Sequence, residues 1–277
     1  MTDAEAAADA FDALSDPTRV AILRELVSRF YDDDGRPVGF AELRRAVGVD
    51  DPGRFNYHLD TLADRFVTKQ EAGYTPTVAG LKAMQSAEMG VYTGSPEPTS
   101  GTVGYDCAEC GDPLTATYEN HWLSVACDEH GLRFKTLVHS SVGREEGLGE
   151  VVDYAVGEVW RRLDRAADGI CHVCRAPALS LSFREAEDVV VADLTCGECY
   201  LEETNAAALF ALTHPAALSV LRDRGLDVPE EIPFEPLDEW VDGGRIVDDG
   251  NAVELTVGDE GDGVTLRVHE DLTVETV

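Results

Sequence analysis

The sequence predicts an α+β protein, in which a helical N-terminal domain is followed by short strands tied together by cysteine pairs. Three observations predict this class. Apolar residues recur at helical spacing through the first 90 residues, the seven cysteines form closely spaced pairs around β-like segments, and the end of the chain alternates apolar and polar residues. A length of 277 residues suits about two domains.

The composition is strongly acidic. The 54 Asp and Glu residues outnumber the 22 Lys and Arg residues, which gives a net charge of −32. Because 44% of the residues are hydrophobic, a disordered acidic chain is excluded, and a folded protein of a high-salt cytoplasm fits better. The sequence has neither an apolar run of the about 18 residues that a spanning helix needs nor a signal peptide. We therefore expect a cytoplasmic protein without a membrane partner.

The acidic charge is unevenly distributed. Residues 1–90 carry a net charge of −6, whereas residues 91–277 carry −26. Within Arg36–Lys69, six basic residues meet five acidic ones, for a net charge of +1. This stretch is where the protein would tolerate an anionic partner.

Three helices are predicted in the N-terminal third. Asp16 and Pro17 form a start signal for the first helix, and Asp51 and Pro52 form one for the third. The apolar positions of the three helices are Val20, Leu23, Leu26, Val27 and Phe30; Phe40, Leu43 and Val47; and Phe55, Leu59, Leu62 and Phe66. We expect the stripe of the third helix to leave five polar or aromatic residues off the core face: Arg54, Asn56, Tyr57, His58 and Thr61.

Two short β-like segments follow the third helix. They are Phe66–Gln70 and Tyr74–Thr75, separated by a turn that contains Gly73, and Thr77 can cap a further helix. Three helices followed by a hairpin are typical of the winged helix-turn-helix, whose recognition helix enters the major groove of DNA.

The N-terminal third also resembles a known family. The segments Leu14–Leu23 (LSDPTRVAIL) and Asn56–Leu62 (NYHLDTL) are similar to ArsR-type prokaryotic transcription regulators, over about residues 5–90. The resemblance implies that Asn56, Tyr57 and His58 face DNA and that Lys69 contacts phosphate. Metal-sensing members carry a cysteine on the preceding helix, but Phe40–Val47 has none, so that form of sensing is not expected. A winged helix that serves only for protein contacts remains an alternative.

The cysteines predict metal sites. They form pairs with two-residue gaps together with one histidine: Cys107 and Cys110, Cys127 and His130, Cys171 and Cys174, Cys196 and Cys199. These spacings are typical of two structural zinc sites with four protein ligands each. Disulfides are the alternative, but a reducing cytoplasm disfavours them. Because closed sites leave no open position and no catalytic motif stands out, we expect no enzyme.

Each set of pairs encloses two β-like segments, as in a zinc ribbon. They are Leu114–Tyr118 and Trp122–Ala126 in the first set, and Leu179–Phe183 and Val189–Leu194 in the second. The offset of 64 residues from Cys107 to Cys171 suggests an internal duplication.

The remaining elements complete the predicted domains. We expect an amphipathic helix with the stripe Val151, Ala155, Val159 and Leu163 beside Trp160, then helices over 206–212 and 215–224, and a C-terminal hairpin over 253–268. The stripe either covers the ribbons within one chain or contributes to a homodimer, which we favour. With a linker over Gly90–Gly101, the predicted divisions are 1–93, 94–168 and 169–277.

Two functions are open at this point. The whole arrangement resembles ArsR-like regulators of haloarchaea, which implies a zinc-stabilised regulator that binds double-stranded DNA as a homodimer. The alternative is a general transcription or polymerase-docking factor, because a winged helix joined to a zinc ribbon also resembles the archaeal counterpart of the large subunit of TFIIE. Palindromic binding sites would favour the first and co-purification with polymerase the second.

Overall fold

The protein is a mixed α+β structure with antiparallel sheets. A computed structural model describes residues 3–90, 92, 97–139, 142, 147–186, 189–226, 241–259 and 261–277. The chain divides into two compact units, Met1–Ser95 (unit 1) and Pro96–Val277 (unit 2). In the described ranges, no helix is long and apolar enough to cross a membrane.

Unit 1 consists of helices and one two-stranded sheet. Its elements are α1 (Asp3–Ala13), α2 (Pro17–Asp32), α3 (Phe40–Val47), α4 (Pro52–Leu62), β1 (Val67–Gln70), β2 (Gly73–Pro76) and α5 (Val78–Glu88). The three expected helices are α2, α3 and α4, and the hairpin β1–β2 pairs Lys69 with Tyr74. Helix α1 precedes them and was not predicted.

The predicted helix starts are confirmed by their caps. The Asp16 carboxylate accepts the backbone N–H of Thr18 at 2.7 Å, and the Asp51 carboxylate accepts that of Arg54 at 2.5 Å. These bonds satisfy donors that the first turn of a helix leaves unpaired. Gly48 ends α3 in the left-handed region, with φ 75°, so α3 and α4 are joined by a short turn.

The core of unit 1 joins α2, α3 and α4. Seven large side chains are fully buried there: Ile22, Leu23, Leu26, Leu43, Phe55, Leu59 and Leu62. Helix α5 approaches this core closely at Gly80, where a Cβ atom would lie 2.3 Å from the carbonyl oxygen of Phe66. The core therefore fixes the buried face of α4 and, with it, the face that points outward.

Unit 2 contains three antiparallel sheets. Its elements are β3 (Thr99–Asp106), β4 (Pro113–Glu119), β5 (Trp122–Cys127), β6 (Gly131–Leu137), α6 (Leu148–Ala167), β7 (Leu179–Ala186), β8 (Val189–Cys196), β9 (Glu202–Ala206), α7 (Ala207–Ala211), α8 (Pro215–Asp223), β10 (Arg245–Val247), β11 (Ala252–Val257), β12 (Val264–His269) and β13 (Val274–Thr276). The strand orders are β3-β4-β5-β6, β7-β8-β9 and β10-β11-β12-β13.

The six predicted strands of unit 2 are confirmed as β4, β5, β7, β8, β11 and β12. The outer strands β3, β6, β9, β10 and β13 were not predicted. The predicted linker is partly wrong, because residues 99–101 belong to β3 and pair with β4. Residues 91 and 93–96 of that linker lie outside the described residues.

Helix α6 packs within its own chain. Val151 and Ala155 are buried against the first sheet, whereas Leu163 is buried in the core of the second and third sheets. Trp160 packs against both cores. The apolar side chains of the stripe are thus already packed inside the unit, which favours the alternative that the stripe covers the ribbons within one chain.

Candidate metal centres and an exposed helix face

The first cysteine cluster joins two connections at one end of the first sheet. Cys107 and Cys110 follow β3, while Cys127 and His130 form the turn between β5 and β6. The four ligand atoms lie within 4.8 Å of one another. Nδ1 of His130 is 3.6 Å from the sulfurs of both Cys107 and Cys127, and the sulfurs of Cys110 and Cys127 are 3.6 Å apart.

The second cluster has the same layout. Cys171 and Cys174 lie between α6 and β7, Cys196 is the last residue of β8, and Cys199 lies between β8 and β9. The sulfurs of Cys171 and Cys199 are 3.7 Å apart, and those of Cys174 and Cys196 are 3.6 Å apart. The four sulfurs again lie within 4.8 Å of one another.

Both clusters have the dimensions of a tetrahedral metal site. With metal–sulfur bonds of about 2.3 Å, two ligand sulfurs lie about 3.8 Å apart, and a sulfur and an imidazole nitrogen lie about 3.6 Å apart. A disulfide would instead bring two sulfurs to about 2.05 Å, and all seven cysteines are free. The clusters could therefore bind two metal ions, and the disulfide alternative is wrong.

Backbone N–H groups favour a thiolate in each cluster. The N–H of His130 donates to the Cys127 sulfur and, against the opposing effect of burial, lowers the pKa of that thiol to about 6. In the second cluster, the N–H of Glu198 is the main cause that lowers the pKa of Cys196 to about 7. Since metals bind the thiolate, each cluster has a ligand prepared near neutral pH.

The two clusters repeat each other in backbone detail. The N–H of Gly111 donates to the carbonyl of Cys107 at 2.7 Å, and the N–H of Arg175 donates to the carbonyl of Cys171 at 2.9 Å. Gly111 and Arg175 both have left-handed backbones, with φ 76° and 68°. The same conformation 64 residues apart supports the predicted duplication.

One residue of the first cluster was not found from the sequence. The carboxylate of Glu109 lies 3.3 Å from Nε2 of His130, on the side of the ring away from the sulfurs, and it also pairs with Arg133. A carboxylate in this place fixes the orientation of a ligand histidine and makes the ring a better donor to the metal. Its position between Cys107 and Cys110 is a local signal that could have drawn attention to it.

The outer face of α4 carries most of the predicted DNA-contacting residues. Arg54, Asn56 and Tyr57 are exposed, Tyr57 by 65%, and Thr61 is half-buried. The Asn56 amide donates to the Asp60 carboxylate at 2.6 Å. The Thr61 hydroxyl donates to the carbonyl of Tyr57 at 2.9 Å. These side chains therefore share a polar surface opposite the core.

His58 was expected on that face, and this prediction is wrong. The side chain is buried, with 6% exposure, and its Nδ1 lies 3.6 Å from the carboxylate of Asp16. With Phe55, Leu59 and Leu62, position 58 completes the spacing i, i+3, i+4 and i+7 of a buried helical face. His58 thus links α4 to the start of α2.

The cations near α4 differ in their pairing from those on α2. On α2, Arg24 pairs with Glu88 at 2.6 Å and Arg29 pairs with Glu25 at 2.9 Å. In the described part of the chain, no carboxylate lies within ion-pair distance of four other cations: Arg44, Arg45, Arg54 and Lys69. Lys69 is exposed on β1, with its ammonium 5.9 Å from the centre of the Tyr74 ring.

Comparisons with known proteins place the chain in a family. Residues 7–87 match the family described as "Domain of unknown function (DUF7347)", and residues 104–274 match that described as "Domain of unknown function (DUF7351)". The second match spans more than half of the 277 residues, so the chain belongs to the DUF7351 family. No curated protein and no solved structure matches the chain.

Proposed function

We propose that this member of the DUF7351 family is a DNA-binding transcription regulator stabilised by two structural zinc ions. Unit 1 acts as a winged helix-turn-helix of the ArsR-like kind, in which α3 and α4 form the helix-turn-helix and β1–β2 the wing. The observation that carries the proposal is the division of α4 into a buried face and an outer face that presents Arg54, Asn56 and Tyr57. Base edges are read by such side chains in the first turns of a recognition helix.

The distribution of charge supports this surface over others. A chain with a net charge of −32 repels phosphate over most of its surface, so DNA must approach where carboxylates do not neutralise the cations. Arg54 on α4 and Lys69 on the hairpin meet that condition, whereas Arg24 and Arg29 are already paired. His58 is left out of the proposed contacts because it is buried.

The donor atoms support zinc as the metal. One cluster offers three thiolates and an imidazole, and the other offers four thiolates. Soft sulfur donors in a tetrahedron favour Zn²⁺ among the common cellular cations, and four protein ligands make a closed, structural site. We therefore propose two zinc-ribbon modules, each holding one ion that stabilises its fold.

The DNA proposal is tested with full-length protein. Sites are selected from random duplexes, and affinity is measured by electrophoretic mobility shift at several salt concentrations. Alanine at Arg54, Asn56 or Tyr57 should each cost about 1–3 kcal/mol and relax specificity. A triple alanine variant that binds its selected site normally would contradict the assignment.

Lys69→Ala tests the hairpin separately. Loss of a phosphate contact should weaken binding to all sequences alike and reduce the salt slope by about one. Lys82→Ala is the matched control, because Lys82 is also an exposed lysine of unit 1 but lies on α5. Equal effects of the two variants would show that general charge, not the hairpin, governs binding.

The metal content is tested by native mass spectrometry of protein purified without chelator. We expect two zinc ions per chain, and one ion after either Cys110→Ser or Cys174→Ser, since these residues belong to different clusters. Fewer than two ions on the unmodified protein, or another metal, would contradict the assignment to zinc.

We also propose a homodimer, because a helix-turn-helix protein reads a palindrome with two copies. Unit 1 is the better location for the contact, since the α6 stripe is buried and Phe11 on α1 is 71% exposed. Phe11→Asp should make the full-length protein sediment as a monomer in molar salt. Selected sites without two-fold symmetry, together with co-purification of RNA polymerase, would instead support a general transcription factor.

A further inference from the structure

A cavity of about 790 Å³ lies in unit 2, between the two sheets that carry the cysteine clusters. Strand β6 of the first sheet forms one wall, and β8 and β9 of the second form another. Helix α6 and the start of α7 contribute the remaining sides, together with residues 241–243 and 255. The volume falls in the range of about 300–1,000 Å³ that is typical of sites for small organic ligands.

The cavity is apolar inside and at its mouth. Leu163, Val190 and Leu194 are buried side chains of its inner surface. Four of its lining residues are large apolar side chains that stay exposed by 42–59%: Trp122, Leu132, Leu137 and Val189. An acidic, well-hydrated protein gains nothing from such a patch unless something apolar is bound there.

Two of the lining residues, Trp160 and Arg162, carry hydrogen-bond donors of the kind that hold an anion. The indole Nε1–H of Trp160 is buried, and no acceptor lies within reach in the described part of the chain. A buried donor without an acceptor is costly, so it marks a place where a ligand atom can accept. Arg162 lies two residues after Trp160 on α6. Its guanidinium donates to Thr136 Oγ1 at 3.1 Å and to the carbonyl of Leu137 at 3.3 Å, and these bonds hold it at the cavity wall.

The charge of the lining differs from that of its surroundings. Among the described lining residues, Arg133 is already paired with Glu109, which leaves Lys135 and Arg162 to balance Glu203 and Asp242. Residues 91–277 as a whole carry a net charge of −26. The lining is thus close to neutral within a strongly acidic unit, so an anion would meet less repulsion there than over the rest of unit 2.

We propose that this cavity binds a small organic anion with an aromatic or aliphatic body. The anionic group accepts a hydrogen bond from Trp160 Nε1 and faces Arg162, while the body fills the space lined by Leu163, Val190 and Leu194. This inference goes beyond the proposed DNA function and does not depend on it. Binding can therefore be measured on the protein alone.

The test uses isothermal titration calorimetry of the full chain with three probes of one ring system: 1-naphthoate, 1-naphthalenemethanol and 1-naphthylmethylammonium. We expect 1-naphthoate to bind with one site per chain, the neutral alcohol at least about tenfold more weakly, and the cation without measurable heat. Equal affinity for the three probes, or several equivalent sites, would overturn the proposal. Failure of 1-naphthoate to bind would overturn it as well.

Two variants locate the site. Trp160→Phe keeps an aromatic ring but removes the donor, and Arg162→Gln removes the charge; each should weaken 1-naphthoate by about tenfold. The matched control is Arg161→Gln, because Arg161 is the neighbouring arginine, pairs with Glu158 and does not line the cavity. Wild-type affinity in both site variants, or the same loss in the control, would show that the probe binds elsewhere.

Discussion

The substitution Glu109→Gln should weaken metal binding at the first cluster alone. Glu109 is not a ligand, but its carboxylate lies 3.3 Å from Nε2 of His130, so it holds the ring with Nδ1 towards the sulfurs. Partners of this kind are worth about 10–100-fold in metal affinity. The Glu109 side chain is 46% exposed and that of His130 29%, so solvent screens the pair, and we expect the lower end. That is about tenfold, or about 1.4 kcal/mol.

The assay follows zinc release from the full chain during titration with a chelator. The variant should lose its first ion at about tenfold less chelator, with the second ion unaffected. Glu198→Gln is the matched control: it removes the same charge from between Cys196 and Cys199, where the backbone N–H of residue 198 makes the contact with sulfur. If Glu109→Gln left both release steps unchanged, or shifted both equally, the orienting role would be refuted.

Two further predictions concern stability. Gly80→Ala should destabilise unit 1, because the new Cβ would lie 2.3 Å from the Phe66 carbonyl oxygen. Gly157→Ala on α6 should instead stabilise unit 2 by about 1 kcal/mol, because its Cβ meets only the flexible end of the Arg161 side chain. Thermal unfolding of both variants checks this contrast. Burial raises the pKa of Asp16, but the backbone N–H groups that it caps lower the pKa further, to a net value below the ordinary one. The contribution of the Asp16 carboxylate to the stability of unit 1 is therefore complete above about pH 4 and is lost as the pH falls through the lowered pKa. Asp16→Asn should make hydrogen exchange in α2 less sensitive to acid. An unchanged acid dependence would show that the ionisation of Asp16 does not govern the acid sensitivity of α2.

The metal ligands could be predicted because their spacing is local. A two-residue gap brings both ends of a turn to one ion, whatever the rest of the chain does. Glu109 was not chosen among 54 acidic residues, because its place between Cys107 and Cys110 does not by itself show the contact with His130, which depends on how the β5–β6 turn folds back over the first cysteine pair. His58 was misplaced for a related reason. Its histidine side chain reads as polar in a sequence, although its helical position belongs to the buried face.

The outer strands were missed because burial gives them almost no pattern. In β3 only Val103 is buried, and in β6 only Thr136, so neither strand shows the apolar alternation that identifies a half-buried strand. By contrast, β5 and β8 lie inside their sheets and alternate along their whole length. Strand β7 also borders its sheet, but it was predicted because Leu179, Leu181 and Phe183 alternate with serines. The sequence therefore predicts the strands that show an apolar alternation and misses the border strands that lack one.

The position of the cavity follows from the same border strands and from the duplication. Strands β6 and β9 are both the last strand of their sheet, and each follows the second ligand pair of its module. Helix α6 comes after the first module and packs against the cores of both, with Trp160 between the two. One helix cannot fill the space beside two sheet edges, so a gap remains where β6, α6 and β9 meet. The duplication thus accounts for a cavity that no local sequence motif predicts.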